Sequence, residues 1–169
     1  MPFYLNPKRQ KSLFFRLRHF LIKPFVSLGF KHIDYYYVHG EKAGNRLTLG
    51  SHVSTADAVF NLTSGNITVG DHTTFGHGCW VLTGFHHFVS GKLARFARNT
   101  HDFPEVPGEG HDIHIGHGCY IGTAAIILRG VTLGDHTRVG AGAIVTKSFD
   151  GGFVAGSPAV QKESWPLTN

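Results

Sequence analysis

A six-residue phase runs through most of this chain, and it restricts the fold more than any other property. Val69, Phe75 and Val81 lie six apart, as do Ile115, Ile121, Ile127, Leu133, Val139 and Val145. The segments read VGDHTT, FGHGCW, IGHGCY, IGTAAI, ILRGVT, LGDHTR and VGAGAI. An aliphatic or aromatic residue opens each, Gly follows in most, and a small or β-branched residue tends to fill the fifth place. A period of six is not helical, because 3.6 does not divide it. It fits short strands with one obligatory inward residue each. Three such strands close a triangular coil of about eighteen residues, a β-helix. The large residue fills the prism and the small one lies near a corner. The Gly marks a turn that needs either positive φ or close backbone approach. An antiparallel sandwich would instead alternate with period two and vary its strand lengths, which the strict phase disfavours.

The phase breaks once, between Val81 and Ile115. The intervening segment is too long for a simple turn, and loops of that size in a compact domain usually carry function. It holds Lys92, Arg95 and Arg98, then Asp102, Glu105 and Glu109, with Pro104 and Pro107 in its turn-rich second half. Its KLARFAR stretch reads as a short helical turn. His101 and Asp102 read first as solvated loop residues.

The first forty-odd residues lack the repeat. Leu13, Phe14, Leu17, Phe20 and Leu21 fall at helical spacing with Lys11, Arg16, Arg18 and Lys23 between them. The pattern predicts a basic amphipathic helix from about Ser12, ending before Pro24. Such a helix can cap the open end of a solenoid, which otherwise exposes apolar surface, or contact an anionic membrane face. The two roles are compatible, and capping is the preferred expectation. The layout is a helical capping segment (1–46), a β-helix domain (47–162) with an extruded loop at about 84–112, and a tail (163–169).

Bulk properties exclude some classes. With 41% hydrophobic and 16% charged residues the chain is not disordered. A net charge of +5 suits a nucleotide phosphate, a membrane surface or nucleic acid alike. Nucleic-acid binding would need clustered basic and aromatic residues on a recognised module, and none is present. Cys79 and Cys119, both in GHGC, are too few for a disulfide framework and read as small buried residues. No stretch reaches transmembrane length and the start lacks a signal-peptide pattern, so a cytoplasmic chain is the default expectation, with peripheral contact at the inner membrane face through the helix.

The stretch GVTLGDHTRVGAGAIVTKSF, followed by VAGSPA, closely resembles the C-terminal signature of the hexapeptide-repeat acyltransferases. FNLTSGNITVGDH is similar to the segment before the active site in their sugar O-acetyltransferase branch, the colanic-acid and nodulation-factor type. The resemblance spans roughly residues 47–162. It implies an all-β fold, a left-handed parallel β-helix of hexapeptide repeats. That handedness comes from the resemblance, since crossovers are otherwise right-handed. It also implies a homotrimer with active sites between protomers, acetyl-CoA as donor, no metal, and a sugar or saccharide hydroxyl as acceptor in surface polysaccharide synthesis.

Residue by residue, LTGFHHF takes the place of the family's Thr-Gly, spacer, His motif. His86 then matches the catalytic His, with His87 as the alternative base and as an acceptor contact. Imidazole titrates near neutrality and suits removal of a hydroxyl proton during attack on a thioester. Asn61 matches the Asn of the family's FN segment near the acceptor hydroxyl; a turn Asn in left-handed geometry is the structural alternative. Gly122, Thr123, Ala124, Ala141 and Gly142 match the residues lining the pantetheine arm, with backbone amides as donors. Thr146 and Lys147 match residues near the nucleotide phosphates, and Lys162 is a further phosphate candidate.

Two rival functions use the same fold. A γ-class carbonic anhydrase-like zinc enzyme needs three His converging on one ion. Its second His would stand five residues after the one in an IGH-like turn, where this chain has Leu82 after His77 and Gly122 after His117. His72 and His77 have the separation but read as outward turn residues, as do His52, His117 and His136. A non-catalytic scaffold would bind no acyl-CoA. Serine and chloramphenicol-like drugs are the alternative acceptors.

Overall fold

The structure, a computed structural model, describes residues 36–40, 45–84, 88–89, 92–93 and 110–164. The expected N-terminal helix lies outside the described residues, as does most of the extruded loop. Every element among the described residues is a strand. Face one contains β2 (Leu47–Leu49), β4 (Ile67–Val69), β9 (Ile113–Ile115) and β12 (Thr132–Leu133). Face two contains β5 (Thr74–Phe75), β10 (Tyr120–Ile121), β13 (Arg138–Val139), β15 (Phe153–Ala155) and β16 (Val160–Glu163). Face three contains β1 (Tyr37–His39), β3 (Val59–Asn61), β6 (Trp80–Leu82), β11 (Ile126–Leu128) and β14 (Ile144–Val145).

The chain visits the faces in rotation, β4 to β5 to β6, then β9 to β11, then β12 to β14, and neighbouring strands within each face pair in parallel. The final strand β16 differs, turning back antiparallel onto β15. Ile115 pairs with Leu133, Ile121 with Val139 and Ile127 with Val145, a step of 18 residues on every face. This is the expected three-sided parallel coil. Two boundaries differ from expectation. The strand β1 joins face three ten residues before position 47, with Tyr37 in register on Val59, and β16 runs on to Glu163. Neither strand carries the six-residue signature.

All nine in-phase residues are buried, in columns such as Val69–Ile115–Leu133 inside face one and Val81–Ile127–Val145 inside face three. The fifth-place residues Thr73, Cys79, Cys119, Ala125, Val131, Thr137 and Ala143 are buried too, where only a short side chain fits beneath a corner.

The two explanations offered for the repeat Gly separate cleanly. The Gly after each in-phase residue is there for close approach: a Cβ on Gly70 would lie 2.6 Å from the His117 nitrogen of the next coil. Positive φ falls two residues later, at His52, His72, Gly78, Gly118, Ala124, Gly130, His136 and Gly142. His52, His72 and His136 therefore occupy the left-handed turn position, whereas His117 stands one place before it. Their rings, with that of His117, form a column along one corner at successive centroid separations of 5.0, 5.5 and 5.3 Å.

Corner side chains tie coil to coil. Asn66 Oδ1 accepts the Arg46 N–H at 2.9 Å, and Asp112 Oδ1 accepts the Asn66 N–H at 2.7 Å. Asp71 and Asp135 do the same for Ser51 and His117 on the next corner. The Asn66 donors hold the Asp112 carboxyl below the usual carboxylate range.

The coil register carries the long insertion without disturbance. Val69 pairs with Ile115, 46 residues on rather than 18, so the extra chain leaves between β6 and β9. It includes an antiparallel hairpin of β7 (Phe88–Val89) and β8 (Lys92–Leu93). The start of KLARFAR is thus a strand rather than the helical turn that its composition suggested.

Two outcomes are expected. Ile127→Ala should lower the unfolding free energy in urea by about 2–5 kcal/mol with an unchanged m-value, since the residue is fully buried between two coils. Because the folded-state pKa of Asp112 is depressed, its contribution is present at neutral pH and is lost as pH falls through the carboxylate range. Asp112→Asn should therefore be less stable than the parent at pH 7, with the gap closing in acid; equal stability at pH 7 would contradict the carboxylate's role.

Candidate active site

The last regular coil before the insertion ends at Thr83–Gly84, and its contacts fix the edge of the site. Thr83 is fully buried, and its Oγ1 donates to the Asn61 carbonyl at 2.7 Å while accepting the Ser64 N–H at 3.2 Å. The Thr83 N–H donates to the same carbonyl at 3.1 Å. Asn61 is in register with Leu82 below and with His39 above. Its Oδ1 accepts the Thr63 N–H at 2.8 Å, and a Cβ on Gly84 would lie 3.2 Å from its Nδ2. The amide of Asn61 thus rests against the backbone two residues before His86. Asn61 ends a strand and is not among the described left-handed residues, so the left-handed-turn alternative is corrected: its side chain caps the turn while its backbone stays extended. His86 and His87 themselves lie outside the described residues, as do His101 and Asp102.

The residues expected along the pantetheine arm form a second, separate stack, at the corner between faces two and three. The Ala124 N–H donates to the His77 carbonyl and the Gly142 N–H to the Thr123 carbonyl, both at 2.8 Å. Thr123, Ala124, Ala141 and Gly142 are exposed in successive coils. Gly122 is different: it is buried, its N–H bonds Val139, and a Cβ there would meet the Ala141 nitrogen at 2.5 Å. The amides of Gly122, Ala124 and Gly142 are spent on coil stacking, so they are not the donors the sequence reading had in mind. What this corner offers is a low, small-residue surface.

Thr146 and Lys147 leave face three directly after β14, both exposed, with Lys147 Nζ 5.6 Å from the Phe149 ring centroid. Lys162 stands on β16, the edge strand of face two, so the two lysines lie on different faces.

The cysteines are poorly suited to covalent chemistry. Burial pushes both thiols above their ordinary range. Cys79 Sγ donates to the Gly122 carbonyl at 3.2 Å and Cys119 Sγ to the Gly134 carbonyl at 3.3 Å. Among the described residues no group of three or more His, Cys, Asp or Glu converges to hold a metal ion. His77 lies on a different corner from His72, with its Nδ1 3.4 Å from Asp57 Oδ1.

Three residues at this edge escaped the sequence reading. Thr83 is the buried anchor of Asn61; its place in the Thr-Gly pair was the available signal. His39 precedes the repeat and gave no signal. Trp80 follows Cys79 outside the phase and is 46% exposed on face three.

A three-faced parallel coil built on an 18-residue step, interrupted once beside an Asn-Thr-Gly edge, defines the hexapeptide-repeat class. Residues 112–147 match the family of bacterial transferase hexapeptides (six repeats). The chain belongs to this hexapeptide-repeat transferase family. It is 35% identical over 116 residues to the protein of Escherichia coli (strain K12) named as colanic acid biosynthesis acetyltransferase WcaF, a match covering 68% of this chain and 57% of that one. It is 30% identical over 125 residues to the chloramphenicol acetyltransferase of Agrobacterium fabrum, covering 73% of this chain and 54% of that one. The chain thus spans little more than half the length of these relatives. Its fold is similar to a hexapeptide-repeat-containing acetyltransferase from Vibrio cholerae O1 biovar eltor complexed with acetyl coenzyme A, with TM-score 0.59, 21% identity, 93% of this chain and 81% of that one. It is also similar to the polysialic acid O-acetyltransferase OatWY, with TM-score 0.58, 20% identity, 79% of this chain and 61% of that one.

If the thiols are as enclosed as described, iodoacetamide at pH 8 should leave Cys79 and Cys119 unmodified in the folded chain and alkylate both in denaturing urea, as read by intact mass. Rapid native labelling of either would contradict its burial.

Proposed function

We propose that this chain is an acetyl-CoA-dependent O-acetyltransferase acting on a hydroxyl of a saccharide in surface polysaccharide synthesis. In this reading the coil is left-handed, and the chain works as a homotrimer with sites between protomers. The observation that carries the reading is the 35% identity to WcaF over two thirds of this chain. The acetyl-CoA complex of a protein with the same fold supports the donor.

The chemistry needs few groups. His86 takes the acceptor hydroxyl proton as the oxygen attacks the thioester carbonyl. The tetrahedral oxyanion then collapses, the C–S bond breaks, and the CoA thiolate takes the proton from the imidazolium. No acyl-enzyme is required, in keeping with two buried, neutral thiols. Asn61 meets the acceptor. Thr123, Ala124, Ala141 and Gly142 let the arm approach at their corner, beside the smaller contribution of Gly122. Thr146 and Lys147 face the phosphates, with Lys162 further off on face two.

Self-association has support in the outer surface of face three. One of its two outward columns holds Tyr37, Val59, Trp80, Ile126 and Ile144, whereas the outward column of face one is Thr48, Thr68, His114 and Thr132. The aliphatic part of that column, Ile126 and Ile144, is what a partner subunit would cover. Among the described residues no helix is long and apolar enough to cross a membrane; inner-face contact through the basic N-terminal segment remains part of the proposal. The chloramphenicol acetyltransferase relative favours a second reading, transfer to a non-sugar hydroxyl on the same scaffold.

An acceptor screen following thiol release from acetyl-CoA across sugars, nucleotide sugars, serine and chloramphenicol tests both. His86→Ala should reduce kcat by about 10²–10⁴-fold while acetyl-CoA binding persists; a fully active His86→Ala with an inactive His87→Ala would move the base by one residue. Lys147→Ala should raise the apparent KM for acetyl-CoA more than it lowers kcat.

A further inference from the structure

We propose that Trp80 is the stacking floor for a pyranose ring of the acceptor, with Asn61 and His39 as its polar edge. The proposal rests on the saccharide acetyltransfer reading and names a recognition surface within it. In β6, Val81 points into the core and is fully buried, so Trp80 and Leu82 both face outward. Outward neighbours in the adjoining coils are set by register: Val59 lies beside Trp80, Asn61 beside Leu82, and His39 beside Asn61. With strands about 4.8 Å apart and about 3.3 Å per residue, Trp80 is roughly 8 Å diagonally from Asn61 between Cα atoms, within the span of one sugar ring and an indole.

The three side chains differ in the way a saccharide site requires. Val59 and Ile126, the neighbours of Trp80 on either side, are only partly exposed, while Trp80 stands 46% exposed between them. An indole combines a broad apolar face with one N–H donor, which suits a ligand apolar on one side and wet on its rim. The C–H face of a pyranose is such a surface. Asn61 supplies a carboxamide and exposed His39 an imidazole, the few convergent polar groups that orient a ligand over an apolar floor. Trp80 also lies on the strand that runs into Thr83–Gly84, from which the His86 segment departs. A ring stacked there has its hydroxyls beside the departure point of the base. The aliphatic pair lower on the face, Ile126 and Ile144, offers no aromatic floor and fits a partner subunit instead.

The test uses the full chain in a Trp165→Phe background, so that Trp80 is the sole indole. Acetyl-CoA binding is measured first by calorimetry, which tests the acetyltransferase reading independently of Trp80. Methyl β-D-galactopyranoside, methyl α-D-glucopyranoside and maltotriose are then titrated against indole fluorescence and assayed as acceptors, with chloramphenicol as the non-sugar substrate and glycerol as a hydroxyl control without a ring face. The expected result is saturable quenching by at least one pyranoside and none by glycerol. Trp80→Ala should raise the acceptor KM about tenfold or more, with the KM for acetyl-CoA unchanged and Trp80→Phe retaining most of the acceptor affinity. Unchanged acceptor KM in Trp80→Ala, or acetyl-CoA binding with chloramphenicol as the only reacting acceptor, overturns the proposal. So does a fall in assembly mass by light scattering in Trp80→Ala, which assigns the indole to the subunit interface. Failure of acetyl-CoA binding overturns the underlying reading itself.

Discussion

The structure depends on one constraint: each coil must lie flat enough on the next for its backbone to bond across. The Gly70, Gly76, Gly116 and Gly122 N–H groups each donate to a carbonyl of the adjoining coil at 2.7–2.8 Å. On faces one and two such approach leaves no room for a Cβ after the in-phase residue, and the left-handed residue two positions later turns the corner. It also sets what the thiols do. With no space for a longer side chain, Cys79 and Cys119 fill the pocket beneath a corner and donate to a carbonyl of the coil below. A Cys placed by this rule is a packing element, its ionisation opposed by the same burial that positions it.

Stacking of this kind tolerates insertion only where the chain is at the surface between strands, and this chain uses that freedom once. The register resumes at Ile113–Ile115 as if the insertion were absent. The coil it leaves must still be closed, and closure is what Thr83 provides by binding the Asn61 carbonyl with both its N–H and its hydroxyl. The interruption therefore creates a fixed polar edge on an otherwise repetitive surface. The proposed base, His86, would need such a reference point, since positioning within a fraction of an ångström depends on rigid elements.

Legibility in the sequence followed the same division. The phase identified all nine inward residues, because the interior of a prism repeats and demands the same residue type each time. It also read the cysteines as buried and the corner histidines as turn residues, although His117 stands one place before the left-handed position of the others. It could not separate the two uses of Gly, since both leave the same letter; only coil-to-coil distances do that. Position 61 shows the limit at the site. An Asn after Phe60 signals a strand end or a turn equally well, and what decides its conformation is Thr83, 22 residues away and in contact only once the coils stack. The strand β1 was missed because YVH carries none of the six-residue pattern, and its place on face three is set only by its pairing with β3.

Outward residues carry the information that the repeat does not. The interior is nearly symmetric among the three faces, yet outside, face one presents Thr48, Thr68, His114 and Thr132, face two Thr74, Tyr120, Arg138 and Phe153, and face three two columns, Tyr37, Val59, Trp80, Ile126 and Ile144 beside His39, Asn61, Leu82 and Leu128. Folding cannot be the cause of this difference, because the alternation of inward and outward residues would hold with any polar set outside. On face three the aliphatic groups are partly exposed and Trp80 is 46% exposed, a cost that cover by another surface would offset. Face three is also where the coil is interrupted, where Asn61 is held, and where the chain exits into Thr146 and Lys147. In the proposed acetyltransferase reading, the polar edge, the apolar groups and the cationic exit on this one face are what a donor, an acceptor and a neighbouring subunit would use.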